Sequence, residues 1–113
     1  KKTKKIFNKK FFSSMKKNSI FINVSRGGLV DTKSLINKAV FNKLLGIGLD
    51  VTHPEPLPKN HYLRKIPNIL ITNHSAGLSD KNRARAYELL YENVNRFYKN
   101  FTLLNQVNKS EGY

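Results

Sequence analysis

Apolar positions recur along the chain in two alternating rhythms. Ile6, Phe7, Phe11, Phe12 and Met15 fall at helical spacing over residues 6–16 and predict one face of a short helix. Ser19-Ile20-Phe21-Ile22-Asn23-Val24 follows as a continuous apolar run with β-branched and aromatic residues, the pattern of a strand buried on both faces. Ser25-Arg26-Gly27-Gly28 breaks it, the adjacent glycines allowing backbone shapes that a side chain forbids. Asp31 or Thr32 is placed to cap a second helix. Its stripe is Leu35, Ile36, Ala39 and Val40, and its end is expected near Asn42.

Gly46-Ile47-Gly48-Leu49-Asp50-Val51 reads as a second strand whose glycines let neighbouring elements come close. Residues 52–67 hold all four prolines and predict an extended, helix-averse loop. Asn68-Ile69-Leu70-Ile71-Thr72 is a third strand. Ser79 is then placed to cap a long helix with Asp80 in its first turn. The apolar face of that helix is Tyr87, Leu90, Tyr91, Val94, Phe97 and Tyr98. Leu103, Leu104 and Val107 are candidate anchors in the tail beyond it.

Strands alternating with helices imply right-handed crossovers and a parallel sheet. The expected fold is therefore α/β: a partial Rossmann-like parallel sheet of about three strands, with flanking helices and a long C-terminal helix. Three strands are few for a doubly wound sheet, which points to the distal half of a nucleotide-binding fold.

Composition narrows the chemistry. The chain has 113 residues and no cysteine, which excludes a disulfide scaffold, a cysteine-based zinc site and a cysteine nucleophile. This length holds one small domain at most. The chain opens on Lys1 and not on Met, so its amino end is expected to be a cut. The net charge is +14, and eight of the sixteen lysines fall in the first 17 residues. Such a block is the footprint of a nucleic-acid-binding module, which stands as the alternative reading. Compositional bias toward Lys, Asn, Ile and Phe is the favoured account, and Phe7, Phe11 and Phe12 are spaced as a buried stripe, not as a base-stacking platform. No apolar stretch is long enough for a membrane span or a signal peptide, and a cytoplasmic location is expected.

In open parallel α/β sheets ligands gather beyond the carboxyl ends of the strands. The three segments there bring Arg26, then Asp50 and Glu55, then His74. A guanidinium to hold a carboxylate or keto oxygen and an imidazole to move a proton suit a small anionic carbonyl compound. A carboxylate beside the imidazole would fix its tautomer. Each residue also has an ordinary reading: Arg26 paired with an acid, Asp50 bracing a turn, Glu55 exposed in a loop, His74 a structural histidine. Only their conjunction on successive strand ends favours chemistry. His53 and His61 are read as solvent or turn residues, and no metal site is expected because no second ligand stands at helical or hairpin spacing.

Three ordered motifs carry a family resemblance: Ile22-Asn23-Val24-Ser25-Arg26-Gly27-Gly28-Leu29-Val30-Asp31, Gly48-Leu49-Asp50-Val51-Thr52-His53-Pro54-Glu55-Pro56-Leu57-Pro58, and Thr72-Asn73-His74-Ser75-Ala76-Gly77. They closely resemble the carboxyl-terminal half of the NAD-binding domain of the D-isomer-specific 2-hydroxyacid dehydrogenases, over nearly the whole chain. The wording of the proline loop is most similar to the glyoxylate/hydroxypyruvate reductase branch. The resemblance implies an oxidoreductase that uses NAD or NADP to interconvert a small 2-oxo acid and a D-2-hydroxy acid. It implies Arg26 as the residue that orients substrate, His74 as general acid and base, and Glu55 as its carboxylate partner. It implies cofactor contacts at Val24, Arg26, Asp50 and Gly77. Residues 1–78 would be the distal half of the dinucleotide-binding domain, and residues 79–113 the helix and tail returning to a substrate domain. Family members are commonly homodimers.

Departures from the pattern are as specific. Asn73 replaces the proline that usually precedes the catalytic histidine, so the turn loses a fixed φ. Asn42-Lys43 lacks the usual glycine and is one residue short, which would shift the approach of the second strand. Tyr62 stands where a proline commonly follows His61. No Gly-x-Gly-x-x-Gly loop is present to hold a pyrophosphate. The expectation is a fragment of the enzyme, inactive as an isolated chain.

Overall fold

A computed structural model describes residues 3–110, together with all their side chains except that of Ala39. Lys1, Lys2, the terminal Gly112-Tyr113 and Ala39 of the predicted stripe therefore lie outside what is described. Among the described residues, no helix is long and apolar enough to cross a membrane.

Phe7 sets the start of the first helix. It forms a parallel bridge with Val30, donating its N–H to the Leu29 carbonyl (3.0 Å) while its own carbonyl accepts from Asp31 N (3.0 Å). Those extended bonds keep residues 6 and 7 out of the helix expected from residue 6. Helix α1 spans Lys9–Ser14, capped by the Asn8 side chain, which accepts from Phe11 N at 3.2 Å. Phe12 is fully buried, and Phe7, Phe11, Phe12 and Phe21 pack edge to face, with Phe12 and Phe21 centroids 5.1 Å apart. The aromatic residues beside the lysine block thus belong to the core.

Strands β1 (Ile20–Asn23), β2 (Gly46–Leu49) and β3 (Ile69–Ile71) form a parallel sheet in the order β1-β2-β3. Register pairs Ile20 with Gly46 and Asn23 with Leu49, then Leu49 with Ile71, so all three carboxyl ends share one rim. The strand expected to be buried on both faces is buried on one. Phe21 and Asn23 point into the core, whereas Ile20 is 59% and Ile22 66% exposed, because the short helices and the proline loop all pack on the Phe21 side.

The second predicted helix is broken in two, α2 (Thr32–Leu35) and α3 (Lys38–Phe41). Leu35 and Val40 are both core residues, yet five residues apart they would lie on different faces of one continuous helix; the break at Ile36-Asn37 brings both back to the same core. Asp31 takes the N-cap position of α2 but caps no backbone N–H: its carboxylate accepts from Ser34 Oγ and pairs with Lys5 Nζ at 3.4 Å. The turn after α3 keeps the strands in register without a glycine. Asn68 Nδ2 donates to the carbonyls of Phe41 (2.8 Å) and Leu44 (3.0 Å), tying that turn to the start of β3.

The proline-rich segment is more structured than expected. His61 Nδ1 accepts from Leu63 N (3.2 Å) and caps a 3₁₀ turn over Tyr62–Lys65, while Leu57, Leu63 and Ile66 are buried in the core. The peptide bonds His53–Pro54 and Glu55–Pro56 are cis. The expected close approach at the glycines of β2 is not present: a Cβ at Gly46 would meet nothing within 4 Å, and one at Gly48 would make ordinary contact with Ile22.

Two compact units divide between Ala76 and Gly77. In the second, α4 spans Asn82–Tyr98 with Lys81 at the N-cap position, two residues later than the expected cap at Ser79. Ser79 instead supplies a carbonyl that accepts from Asn82 N (3.2 Å), and Asp80 lies outside the helix. The predicted apolar face is present and wholly exposed, from Val94 at 45% to Tyr98 at 81%. The tail folds back through Asn93, whose side chain accepts from Leu104 N (2.7 Å) and donates to the Leu104 carbonyl (3.1 Å). Leu103, Leu104 and Val107 are exposed, at 37%, 38% and 58%.

Candidate active site

The end of each strand builds one part of the rim. After β2 the chain turns at Asp50, which is only 6% exposed and donates its N–H to the Asn23 carbonyl (3.0 Å). Its carboxylate faces the turn that follows β3. Oδ1 accepts from Thr72 Oγ1 (2.5 Å) and Ser75 N (2.9 Å), and Oδ2 accepts from Ala76 N (2.8 Å). The Thr72 hydroxyl is the largest influence holding the Asp50 carboxyl below the usual carboxylate range, followed by the Ala76 amide.

His74 sits inside that turn with φ 55°, a left-handed conformation rare for a residue with a side chain. Its Nδ1 lies 2.6 Å from Glu55 Oε1. A carboxylate only accepts, so Nδ1 carries the proton and Nε2 is the atom left for chemistry. The pair is half-exposed, with His74 at 49% and Glu55 at 41%. It lines a cavity of about 230 Å³ shared with Asp50, Thr52, Thr72, Asn73 and Arg64.

Arg26 lies at the same rim but is not drawn into this cluster. Its guanidinium donates to the Ser25 carbonyl (2.7 Å), and it does not line the cavity of the His74–Glu55 pair. Its loop is shaped by Asn23, 3% exposed, which donates to the Arg26 carbonyl (3.1 Å) and accepts from Ser25 N (3.1 Å). Gly27 is where the two loops touch, since a Cβ there would collide with the Thr52 carbonyl. Val24 lines a second, mainly apolar groove of about 350 Å³ with Ile22, Gly48, Leu70, Ser75 and Ala76, ending at Asp50. Gly77 begins the second unit, where its carbonyl accepts from Asn82 Nδ2.

Residues 1–76 match the model of the D-isomer specific 2-hydroxyacid dehydrogenase family, NAD binding domain. The chain belongs to this family. It is 41% identical over 81 residues to the human glyoxylate reductase/hydroxypyruvate reductase, covering 72% of this chain and 25% of that protein. Among solved structures, a D-isomer specific 2-hydroxyacid dehydrogenase from Xanthobacter autotrophicus, in complex with NADPH and MES, superposes with a TM-score of 0.84 at 31% identity, over 99% of this chain and 46% of that one. An NADPH-dependent glyoxylate/hydroxypyruvate reductase from Sinorhizobium meliloti, in complex with NADP and sulfate, gives a TM-score of 0.82 at 30% identity, over 99% and 36%. The chain therefore spans less than half the length of each.

The dehydrogenase match takes in Val24, Arg26, Asp50, Glu55 and His74 and stops one residue before Gly77. The Val24 groove fits the nicotinamide end of a dinucleotide: its walls are apolar, Gly48 leaves its floor low, and a buried carboxylate closes one end. Sequence reasoning missed three residues that shape the site. Thr72 and Asn23 stand in strands and family motifs that assign them no role, and Arg64 lies outside every motif. Arg64 lines the His74 cavity while donating to the Leu57 (2.9 Å) and Pro58 (3.2 Å) carbonyls. The one available signal was Asn23, a polar residue at an inward strand position.

Proposed function

We propose that this chain is the catalytic half of the nucleotide-binding domain of an NAD- or NADP-dependent oxidoreductase that interconverts a small 2-oxo acid, of the glyoxylate or hydroxypyruvate type, and a D-2-hydroxy acid. The 2.6 Å pairing of His74 with Glu55 at the strand rim carries this reading. A bound nicotinamide supplies or accepts the hydride. His74 Nε2 gives a proton to the substrate's carbonyl oxygen in reduction and takes one from the hydroxyl in oxidation. Glu55 keeps Nδ1 protonated, holds the ring in one tautomer and balances the positive charge of the acid form. Arg26, exposed beside the same rim, turns from the Ser25 carbonyl to take the substrate carboxylate in a two-pronged grip. Val24 and Asp50 border the nicotinamide groove, and the family resemblance adds Gly77 as a cofactor contact. A cytoplasmic location and a homodimer of the full-length protein accompany this reading.

The sequence has no glycine-rich phosphate loop, so the isolated chain is expected to be inactive and the test restores the missing parts. Residues 1–76 replace the matching segment of the human glyoxylate reductase/hydroxypyruvate reductase, and oxidation of NADPH and NADH is followed with glyoxylate and with hydroxypyruvate. Turnover of at least one pair is expected. A folded chimera that binds the cofactor and turns over neither acid would overturn the proposal.

A further inference from the structure

We infer that Thr72 is a positioning residue for His74, holding the 72–76 turn through the Asp50 carboxylate in the shape that presents the imidazole to Glu55. This inference rests on the proposed role of His74 and extends it to a residue that acts on the imidazole through the Asp50 carboxylate.

The turn needs holding. His74 is in the left-handed region at φ 55°, where a residue with a side chain persists only if its surroundings over-determine it. The residue before it is Asn73, so no pyrrolidine ring restrains the approach. Asp50 supplies the constraint instead, because its acceptors engage the chain on both sides of His74: Thr72 before it, Ser75 and Ala76 after it. The carboxylate is itself fixed, nearly buried at the end of β2 with its N–H bonded to the Asn23 carbonyl.

Thr72 completes the arrangement. Its N–H donates to the Leu49 carbonyl (3.0 Å), so its backbone still follows the sheet beyond the end of β3. From that fixed place its hydroxyl donates to Oδ1, the oxygen that Ser75 N also uses. With Oδ1 drawn toward Thr72, the plane of the carboxylate leaves Oδ2 for Ala76 N. One side chain thus sets the rotation of an acceptor that governs two backbone amides, and those amides set the backbone of the histidine.

The test needs no substrate. The whole chain is prepared as wild type, Thr72→Val, Thr72→Ser and Asp50→Asn. Imidazole ¹⁵N shifts report the His74 tautomer, and hydrogen exchange reports the Ser75 and Ala76 amides. Valine keeps the volume and removes the donor. Loss of the single Nδ1–H tautomer and at least about tenfold faster exchange at both amides are expected, since hydrogen bonds to a charged group are worth roughly that much. Thr72→Ser is expected to restore both signals. Asp50→Asn, which sets an amide donor against the donors it must accept, is expected to lose them as Thr72→Val does.

An unchanged ring signature and unchanged exchange in Thr72→Val would overturn the inference. So would a fall in melting temperature with the ring signature intact, the mark of a merely structural role. If Thr72→Val does not fold, Asp50→Asn decides on the same two readouts. A chimera without turnover in which these signals behave as expected would sink the functional proposal and leave the positioning role standing.

Discussion

Replacing Gly27 by alanine puts the contact between the two site loops to a direct test. A methyl group at Gly27 would fall inside the van der Waals envelope of the Thr52 carbonyl carbon and oxygen and 2.8 Å from His53 N. All three atoms are backbone, so no side-chain rotation relieves the clash, and the two segments must part by about 1 Å in an interior packed at crystal density. Overpacking of well-packed sites costs about 1–3 kcal/mol, and a backbone obstacle puts Gly27→Ala at or beyond the upper end, about 3 kcal/mol. The neighbouring glycine is the control. A Cβ at Gly28 meets nothing within 4 Å, so Gly28→Ala should be neutral or gain about 0.5 kcal/mol through the unfolded chain. Urea unfolding followed by far-UV circular dichroism compares the two, with the methyl resonances of Leu49 and Val51 reporting on the first unit. The movement should also reach Glu55, three residues past Thr52: the 2.6 Å bond to His74 does not survive a shift beyond about 3.2 Å. Equal stabilities for Gly27→Ala and Gly28→Ala, or an unaltered His74 ring signature in Gly27→Ala, would refute the reasoning.

Other consequences are as measurable. Phe12→Ala, which empties a fully buried site against Phe21, should cost about 3–5 kcal/mol in the same urea experiment. Asp50 has a folded-state carboxyl below its ordinary value of 3.8, so its stabilising contribution is complete above that value and disappears as pH falls through the lower folded one. Urea midpoints measured as the pH is lowered should therefore show an acid-limb loss that is smaller in Asp50→Asn. Asn93→Ala removes both hydrogen bonds between its side chain and Leu104, and the Leu104 amide should then exchange about tenfold faster.

The alternation of elements and the family motifs could be read from the chain because each rests on local residues. The three strands were expected within one or two residues of where they lie, and the parallel sheet followed from the alternation of helices and strands, with a proline loop in place of a helix between the second and third. What the sequence could not show was tertiary. Leu35 and Val40 looked like one helical stripe until the core required them on the same side, which only a broken helix provides. β1 carries its apolar run on both faces, yet Ile20 and Ile22 are uncovered, since periodicity records what a residue is suited to meet and not whether a partner is there. His61 gave no sign of its capping role, which needs the backbone of Leu63 to turn beneath it.

The site divides the same way. Glu55 and His74 stand nineteen residues apart, and the strand-end rule together with the family motifs put them in reach of each other. Arg26 shows the limit of that rule: the right rim is assigned, but the guanidinium is engaged with the Ser25 carbonyl. Thr72 shows the converse: it opens a family motif that assigns it no role, and its hydrogen bond to the buried Asp50 carboxylate is visible only in the fold.

The measurement that bears most directly on the assignment of His74 as general acid and base is the effect of His74→Ala on the chimera with the human reductase, with turnover and cofactor affinity determined separately. Turnover should fall by about 10²–10⁴ while cofactor affinity stays within a few-fold of the parent. Turnover unaffected by the substitution, or a loss accounted for entirely by weakened cofactor binding, would contradict it.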